Sequence, residues 1–137
     1  MRTDDKFAIH ELLSRAAYGL DTRDLEMLSS CFAENAVMTL RIAGGDLVGP
    51  FDGRVGIMKL MTDSMEEQTD QRRHVCSNIF FKSEAEDSAT LVSYLSLLAT
   101  ENGQIKLVSA GIYEDEVARI GGKWKLVKRH IELDLPY

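Results

Sequence analysis

Asp21 and His74 are the two side chains of this sequence best placed to do chemistry. Asp21 stands in Tyr18-Gly19-Leu20-Asp21-Thr22-Arg23-Asp24, between two amphipathic helical patterns, and His74 opens a strand in Arg73-His74-Val75-Cys76-Ser77-Asn78. Histidine, with an ordinary pKa near ~6.5, is the default proton-transfer group at neutral pH. A carboxylate on its Nδ1 fixes the tautomer, leaves Nε2 as the base and stabilises the imidazolium that forms. Such a pair is an acid/base dyad without a nucleophile. The competing reading makes Asp21 a turn or capping residue and His74 a strand histidine satisfied by a backbone group.

Strand alternation nominates companions for the dyad. His74, Cys76, Asn78 and Phe80 share one strand face and Val75, Ser77, Ile79 and Phe81 the other, so Asn78 should accompany an inward His74. On the last strand, Trp124, Leu126, Lys128 and His130 share a face opposite Lys125, Val127, Arg129 and Ile131. Tyr18, Tyr94 and Tyr113 are candidate hydroxyl donors, and Met58 and Met61, with Met38 and Met65, a candidate adaptable apolar wall. Expected substrate contacts are therefore Tyr18, Asn78, Tyr94, Tyr113, Met58, Met61, Trp124 and His130. Arg72 and Arg73 read as solvated loop charges that could also attract an anionic ligand.

No metal and no cofactor is expected. None of His10, His74 and His130 is spaced as a helical ligand pair, and Cys31 and Cys76 form no CxxC motif and read as reduced core thiols.

Several elements must position these residues. Asp4 or Asp5 can cap a first helix in which Ile9, Leu12, Leu13, Ala16, Ala17 and Leu20 recur at helical spacing. Asp21 to Asp24 reads as an elbow, and Thr22 or Asp24 as the cap of a second helix with a buried stripe of Leu25, Leu28, Cys31 and Phe32. A strand over 36–42, a glycine turn and a short returning strand over 47–51 precede a third helix, with Ile57, Leu60, Met61 and Met65 on one face. Four long strands follow, at about 73–83, 88–100, 105–119 and 123–134, with Gly121-Gly122 as the tightest turn. Their short connections make neighbours antiparallel. The expected architecture is α+β: one domain over 1–137, a cone-shaped curved antiparallel sheet with three N-terminal helices packed on its concave face. A cavity is expected inside the cone. Apolar residues on both faces, such as Leu91, Leu95 and Leu97 opposite Val92, Tyr94 and Leu98, imply an oligomer through the outer face.

Composition narrows the function classes. The 137 residues are 45% hydrophobic and 28% charged, as in an ordinary globular domain, and the net charge of −6 leaves no basic footprint for nucleic acid. The charged N-terminus has no apolar signal region and no run approaches bilayer-spanning length, so no membrane association and a cytoplasmic location are expected.

The opening, Ala8-Ile9-x-Glu11-Leu12-Leu13 through Tyr18-Gly19-Leu20-Asp21-Thr22-Arg23-Asp24 to Cys31-Phe32-Ala33-Glu34-Asn35-Ala36-Val37, resembles the nuclear transport factor 2-like superfamily, specifically its SnoaL-like members. Asp52-Gly53-Arg54-x-Gly56-Ile57 is similar to their third-helix entrance. Gly111-Ile112-Tyr113-Glu114-Asp115-Glu116 with Gly122-Lys123-Trp124-Lys125-Leu126 and Arg129 is similar to their closing hairpin. The resemblance implies a cystatin-like α+β roll, a pocket for a small hydrophobic or aromatic molecule, and a homodimer or homotrimer.

Two branches of the superfamily are most alike. Scytalone-dehydratase-like and bile-acid-dehydratase-like lyases use an Asp in the elbow and a His opening the strand after helix 3, the positions of Asp21 and His74 here. The β subunits of aromatic-ring-hydroxylating dioxygenases share an Arg-His-x-x-Ser-Asn-like strand and an end resembling Lys128-Arg129-His130-Ile131-Glu132-Leu133-Asp134. They imply instead a noncatalytic role beside an iron-containing α subunit. The chain departs from the lyases where they carry a second His, here Leu97, Leu98 and Ala99, and where some carry a Tyr or Lys, here Ala16. The lyase branch implies a cofactor-free elimination or isomerisation by the dyad, with Tyr18, Asn78 or Tyr113 polarising a substrate oxygen. A third reading is a ligand-binding module without catalysis.

Overall fold

The computed structural model describes residues 1–137. The elements run α1 (Thr3–Thr22), α2 (Leu25–Ser30), β1 (Phe32–Ile42), β2 (Val48–Asp52), α3 (Gly53–Glu67), β3 (Gln71–Glu84), β4 (Ser88–Glu101), β5 (Gln104–Ile120) and β6 (Lys123–Leu133). The class is α+β, with helices packed on one six-stranded sheet ordered β2-β1-β6-β5-β4-β3.

The sheet is mixed rather than wholly antiparallel. The β3 to β6 meander and the β1–β2 pair are antiparallel, but β1 lies parallel to β6, with Met38 opposite Arg129 and Leu40 opposite Ile131. Everything between them in the chain serves as the crossover that a parallel pair needs. Two hairpins are equally tight. Asn102-Gly103 and Gly121-Gly122 both hold two consecutive positive φ angles, the geometry whose twist matches that of the flanking strands.

Helix α1 begins at least two residues earlier than expected. Arg2 is the N-cap residue, and Asp5, inside the first turn, accepts from the Arg2 amide at 3.0 Å while also holding Arg119 at 2.9 Å and the Trp124 indole at 3.3 Å. The helix then runs through Asp21, so this residue occupies its last turn and not the elbow. It stops because Arg23 turns left-handed, at φ 57°, and Asp24 N–H reaches back to the Gly19 carbonyl. Gly19 is required at this corner, because a Cβ there would stand 2.9 Å from the Leu28 backbone nitrogen. Asp24 caps α2, accepting from Met27 N–H at 3.1 Å, but α2 ends at Ser30 and Phe32 begins β1.

Helix α1 packs on β3 and α3 on β1, near opposite ends of the sheet, leaving β6, β5 and β4 as a floor between them. The larger core cluster, including Ile9, Phe32, Ile57, Leu91 and Leu126, fills one end of this space. A smaller cluster of Leu40, Leu95, Tyr113 and Leu133 lies at the other. No helix is long and apolar enough to cross a membrane.

Candidate functional site

A cavity opens beside the smaller cluster, with all four of its residues in the wall. Its volume is about 100 Å³, and it opens to solvent at its mouth. Leu60, Met61 and Met65 of α3 face Leu95 and Leu97 of β4 and Ile131 of β6 across it. Twelve of the 21 lining residues are apolar, and the other nine, Asp21, His74, Arg72 and Arg129 among them, are polar or charged, a mixture suited to orienting a small molecule.

Asp21 and His74 meet here because the last turn of α1 lies against the first residues of β3. Asp21 grips His74 at two points: Oδ2 accepts from the His74 backbone N–H at 2.8 Å and Oδ1 lies 2.5 Å from Nδ1. Gln71 ties the same turn down, donating from Nε2 to the Asp21 carbonyl at 2.7 Å. The Asp21 side chain is 7% exposed and that of His74 16%. With Nδ1 bonded to a carboxylate, the proton belongs on Nδ1 and Nε2 is left as an acceptor without a partner in the chain.

A second buried pair stands in the same cavity. Arg129 donates from Nε to Asp115 Oδ1 at 2.7 Å and from Nη2 to Asp115 Oδ2 at 3.0 Å, a bidentate fork in which Asp115 is only 1% exposed. The guanidinium also lies 4.0 Å from the centre of the Tyr113 ring. Burial lowers the affinity of Arg129 for its proton, but the Asp115 charge and hydrogen bonds outweigh it and hold the pKa above the ordinary range. Burial pushes the Tyr113 hydroxyl up to about 12, with the Arg129 charge opposing it. Tyr113 is therefore a neutral phenol at pH 7, able to donate a hydrogen bond but not to act as a base. Every fully buried side-chain nitrogen or oxygen has a partner. The unbonded Tyr113 hydroxyl and Arg129 Nη1 therefore open onto the cavity both residues line.

The other expected contacts divide. Met61 and Tyr113 line the cavity, whereas Met58 packs against the larger core cluster. Tyr18 is 61% exposed on the outer side of α1, and Tyr94 is 52% exposed on the outer face of the sheet. Asn78 does not follow His74 inward. It sits at φ 55° in a β-bulge between Ser77 and Phe80, and the extra residue reverses the alternation, so Asn78 and Phe80 are exposed while Ile79 and Phe81 turn towards the core.

The same device acts on β6. Glu116 pairs with Lys128 but Val117 with Leu126, so Val127 is the extra residue. Trp124 and Leu126 point inward before this bulge, and Arg129, Ile131 and Leu133 after it. His130 is turned out of the cavity, where its Nδ1 lies 2.7 Å from Thr39 Oγ1. Trp124 lies at the core end, bonded to Asp5. Alternation alone therefore missed Arg129 and Asp115. The signal for Asp115 was present: it shares the inward face of β5 with Tyr113 and Val117, and a carboxylate there requires a buried cation.

No group of three or more His, Cys, Asp or Glu side chains is clustered as a metal ion would require. Both cysteines are free thiols, and burial raises the pKa of each.

Residues 1–130 match the family model described as SnoaL-like domain. A protein of unknown function with a cystatin-like fold from Nostoc punctiforme PCC 73102 is 26% identical, with 99% of this chain and 97% of that one covered and a TM-score of 0.82. A candidate aromatic ring hydroxylase from Novosphingobium aromaticivorans is 24% identical, with 99% and 93% covered and a TM-score of 0.80. The β subunit of a candidate aromatic-ring-hydroxylating dioxygenase from the same species is 20% identical, with 95% and 89% covered and a TM-score of 0.79. The last two likenesses are of fold. No protein of curated function matches the sequence.

Proposed function

We infer that this chain, which belongs to the SnoaL-like domain family, binds a compact cyclic or aromatic molecule in its cavity and catalyses a cofactor-free elimination or isomerisation. The observation that carries the reading is the two-point grip of Asp21 on His74, which leaves Nε2 unpartnered beside the cavity. In an elimination, Nε2 takes the proton from the carbon next to a substrate carbonyl. The enolate oxygen receives hydrogen bonds from the Tyr113 hydroxyl and Arg129 Nη1, which takes the role expected of Tyr18 or Asn78. The imidazolium, stabilised by Asp21, then returns the proton to the departing hydroxyl, which leaves as water and closes the cycle.

The test is turnover of cyclic β-hydroxy ketones, followed by the absorbance of the conjugated enone. His74→Ala should lower the rate by about 10²–10⁴-fold. Asp21→Asn should lower it as well and, by NMR, should release the imidazole from its single tautomer. Unchanged rates in both variants end the mechanism.

A second reading rests on the outer face of the sheet. Phe80, Tyr94, Ile105, Leu107 and Ile112 are exposed there, and Tyr94 is the cross-strand neighbour of Ile112. Such a face favours a partner: a second or third copy of this chain, or the α subunit of an aromatic-ring-hydroxylating dioxygenase. Stable co-purification with a Rieske-type α subunit, together with no turnover, favours the noncatalytic role.

A further inference from the structure

We propose that the mouth of the cavity, formed by Arg72 and Arg23, recognises a carboxylate, so that the ligand is a compact ring carrying one. This deepens the reading of the cavity as a ligand pocket and rests on it.

Arg72 is not the solvated loop charge that its sequence neighbourhood suggests. It shares the inward face of β3 with His74, and its side chain is only 13% exposed. Its Nε donates to Asp70 Oδ1 at 2.8 Å, which orients the guanidinium, and neither Nη has a partner within the chain. Because no fully buried polar side-chain atom lacks a partner, that edge faces open space: Arg72 lines both the cavity and the shallow groove that adjoins it. The two Nη atoms of one planar guanidinium match the two oxygens of a carboxylate.

Arg23 adds a charge that nothing cancels. Its left-handed backbone sends the side chain across to the end of α3, where Nη2 donates to the Gln68 carbonyl at 2.9 Å, a neutral acceptor. Deeper in the cavity Asp115 and Arg129 cancel each other, and both Asp21 oxygens are taken up by the backbone and ring N–H groups of His74. At the mouth, two guanidinium groups stand beside the Asp70 carboxylate, with Glu67 in the adjoining groove, and the Nη edge of Arg72 is committed to neither acid. A ring lying between Leu60, Met61, Leu95 and Leu97 thus meets a cationic mouth at one end and the polar groups of His74, Tyr113 and Arg129 at the other.

The experiment compares two isosteres, 2-naphthoate and the neutral 2-naphthamide, by calorimetric titration. The proteins are the unmodified chain, Arg23→Met, Arg23→Met/Arg72→Met, and Lys128→Met as an exposed control away from the cavity. The unmodified chain and the control should bind naphthoate at least tenfold more tightly than naphthamide, with the preference eroded by salt. Arg23→Met should narrow the gap, and the double variant should bind both probes as the unmodified chain binds the amide. Equal binding of the two probes by the unmodified chain overturns the carboxylate site and leaves the pocket reading intact. Failure of both probes to bind overturns the pocket reading and this inference with it. Should the double variant misfold, the unmodified chain and Arg23→Met, an exposed position, still decide.

Discussion

Replacing Asp115 by Asn should destabilise the protein by about 3–5 kcal/mol, because it strands a buried charge that cannot be given up. The Arg129 side chain is 8% exposed, and its only carboxylate partner is Asp115. Asn is nearly isosteric, but its single carbonyl oxygen can replace one of the two hydrogen bonds at 2.7 and 3.0 Å, and its amide then points a donor at a donor. Arginine does not lose its proton in response. The Tyr113 ring face, 4.0 Å away, holds part of the cation's energy and places the loss towards the lower bound. At about 2.1 cal/mol/K per residue, 137 residues unfold with an entropy of about 0.29 kcal/mol/K. The expected fall in Tm is therefore about 10–17 °C.

The assay is urea unfolding at pH 7 of the unmodified chain, Asp115→Asn, Arg129→Met and Asp115→Leu/Arg129→Met. The double variant removes both charges and replaces them with apolar groups, so it should cost less than Asp115→Asn alone. A loss under about 1 kcal/mol for Asp115→Asn, or a double variant as costly as the singles together, refutes the reasoning.

Other consequences are open to direct measurement. Burial holds the Tyr113 hydroxyl at about 12, against about 10 when unfolded. A raised pKa contributes fully below the unfolded value, so about 2–3 kcal/mol should be lost as pH rises from about 10 to 12, and Tyr113→Phe should abolish that slope. The Arg2 amide, and after it Arg119, holds the Asp5 carboxyl below its ordinary value against the effect of burial. A depressed pKa contributes above the unfolded value, so stability should fall as pH drops below about 4, and urea midpoints of Asp5→Asn should fall less steeply there. Gly111→Ala should cost about 3 kcal/mol or more, because its Cβ would stand 2.1 Å from the Glu132 carbonyl oxygen. A smaller loss on denaturation would mean that β5 and β6 separate easily.

What was legible in the sequence was local. The apolar stripe of α1, the Asp24 cap and the glycine hairpin are each written within a few residues, and each stands in the structure. The parallel pairing of β1 with β6 joins residues about ninety positions apart and has no turn between them to announce it. Alternation is local too, but it is fragile, since one extra residue inverts every position beyond it. Asn78 carried a hint, because Asn is among the few residues that tolerate a positive φ. Val127 carried none: a β-branched residue in an apolar run reads as ordinary strand, and so His130 was expected inside and Arg129 outside.

The bulges at Asn78 of β3 and Val127 of β6 lie where the sheet changes its occupation. On β6, Trp124 and Leu126 precede the bulge and join the larger core cluster, while Arg129, Ile131 and Leu133 follow it and line the cavity. On β3 the order is reversed: Arg72 and His74 come before the bulge at the cavity end, and Ile79 and Phe81 after it pack on the core. A bulge bends its strand and increases its twist. Bulges on β3 and β6, with a further one at Val108 of β5, therefore allow the sheet to wrap a filled core at one end and leave space at the other. A straight β6 would instead present Lys128 and His130 to that space and turn Arg129, whose guanidinium makes the two-bond fork with Asp115, outward. The bulge at Val127 thus decides both the wall of the cavity and the partner of its most deeply buried carboxylate.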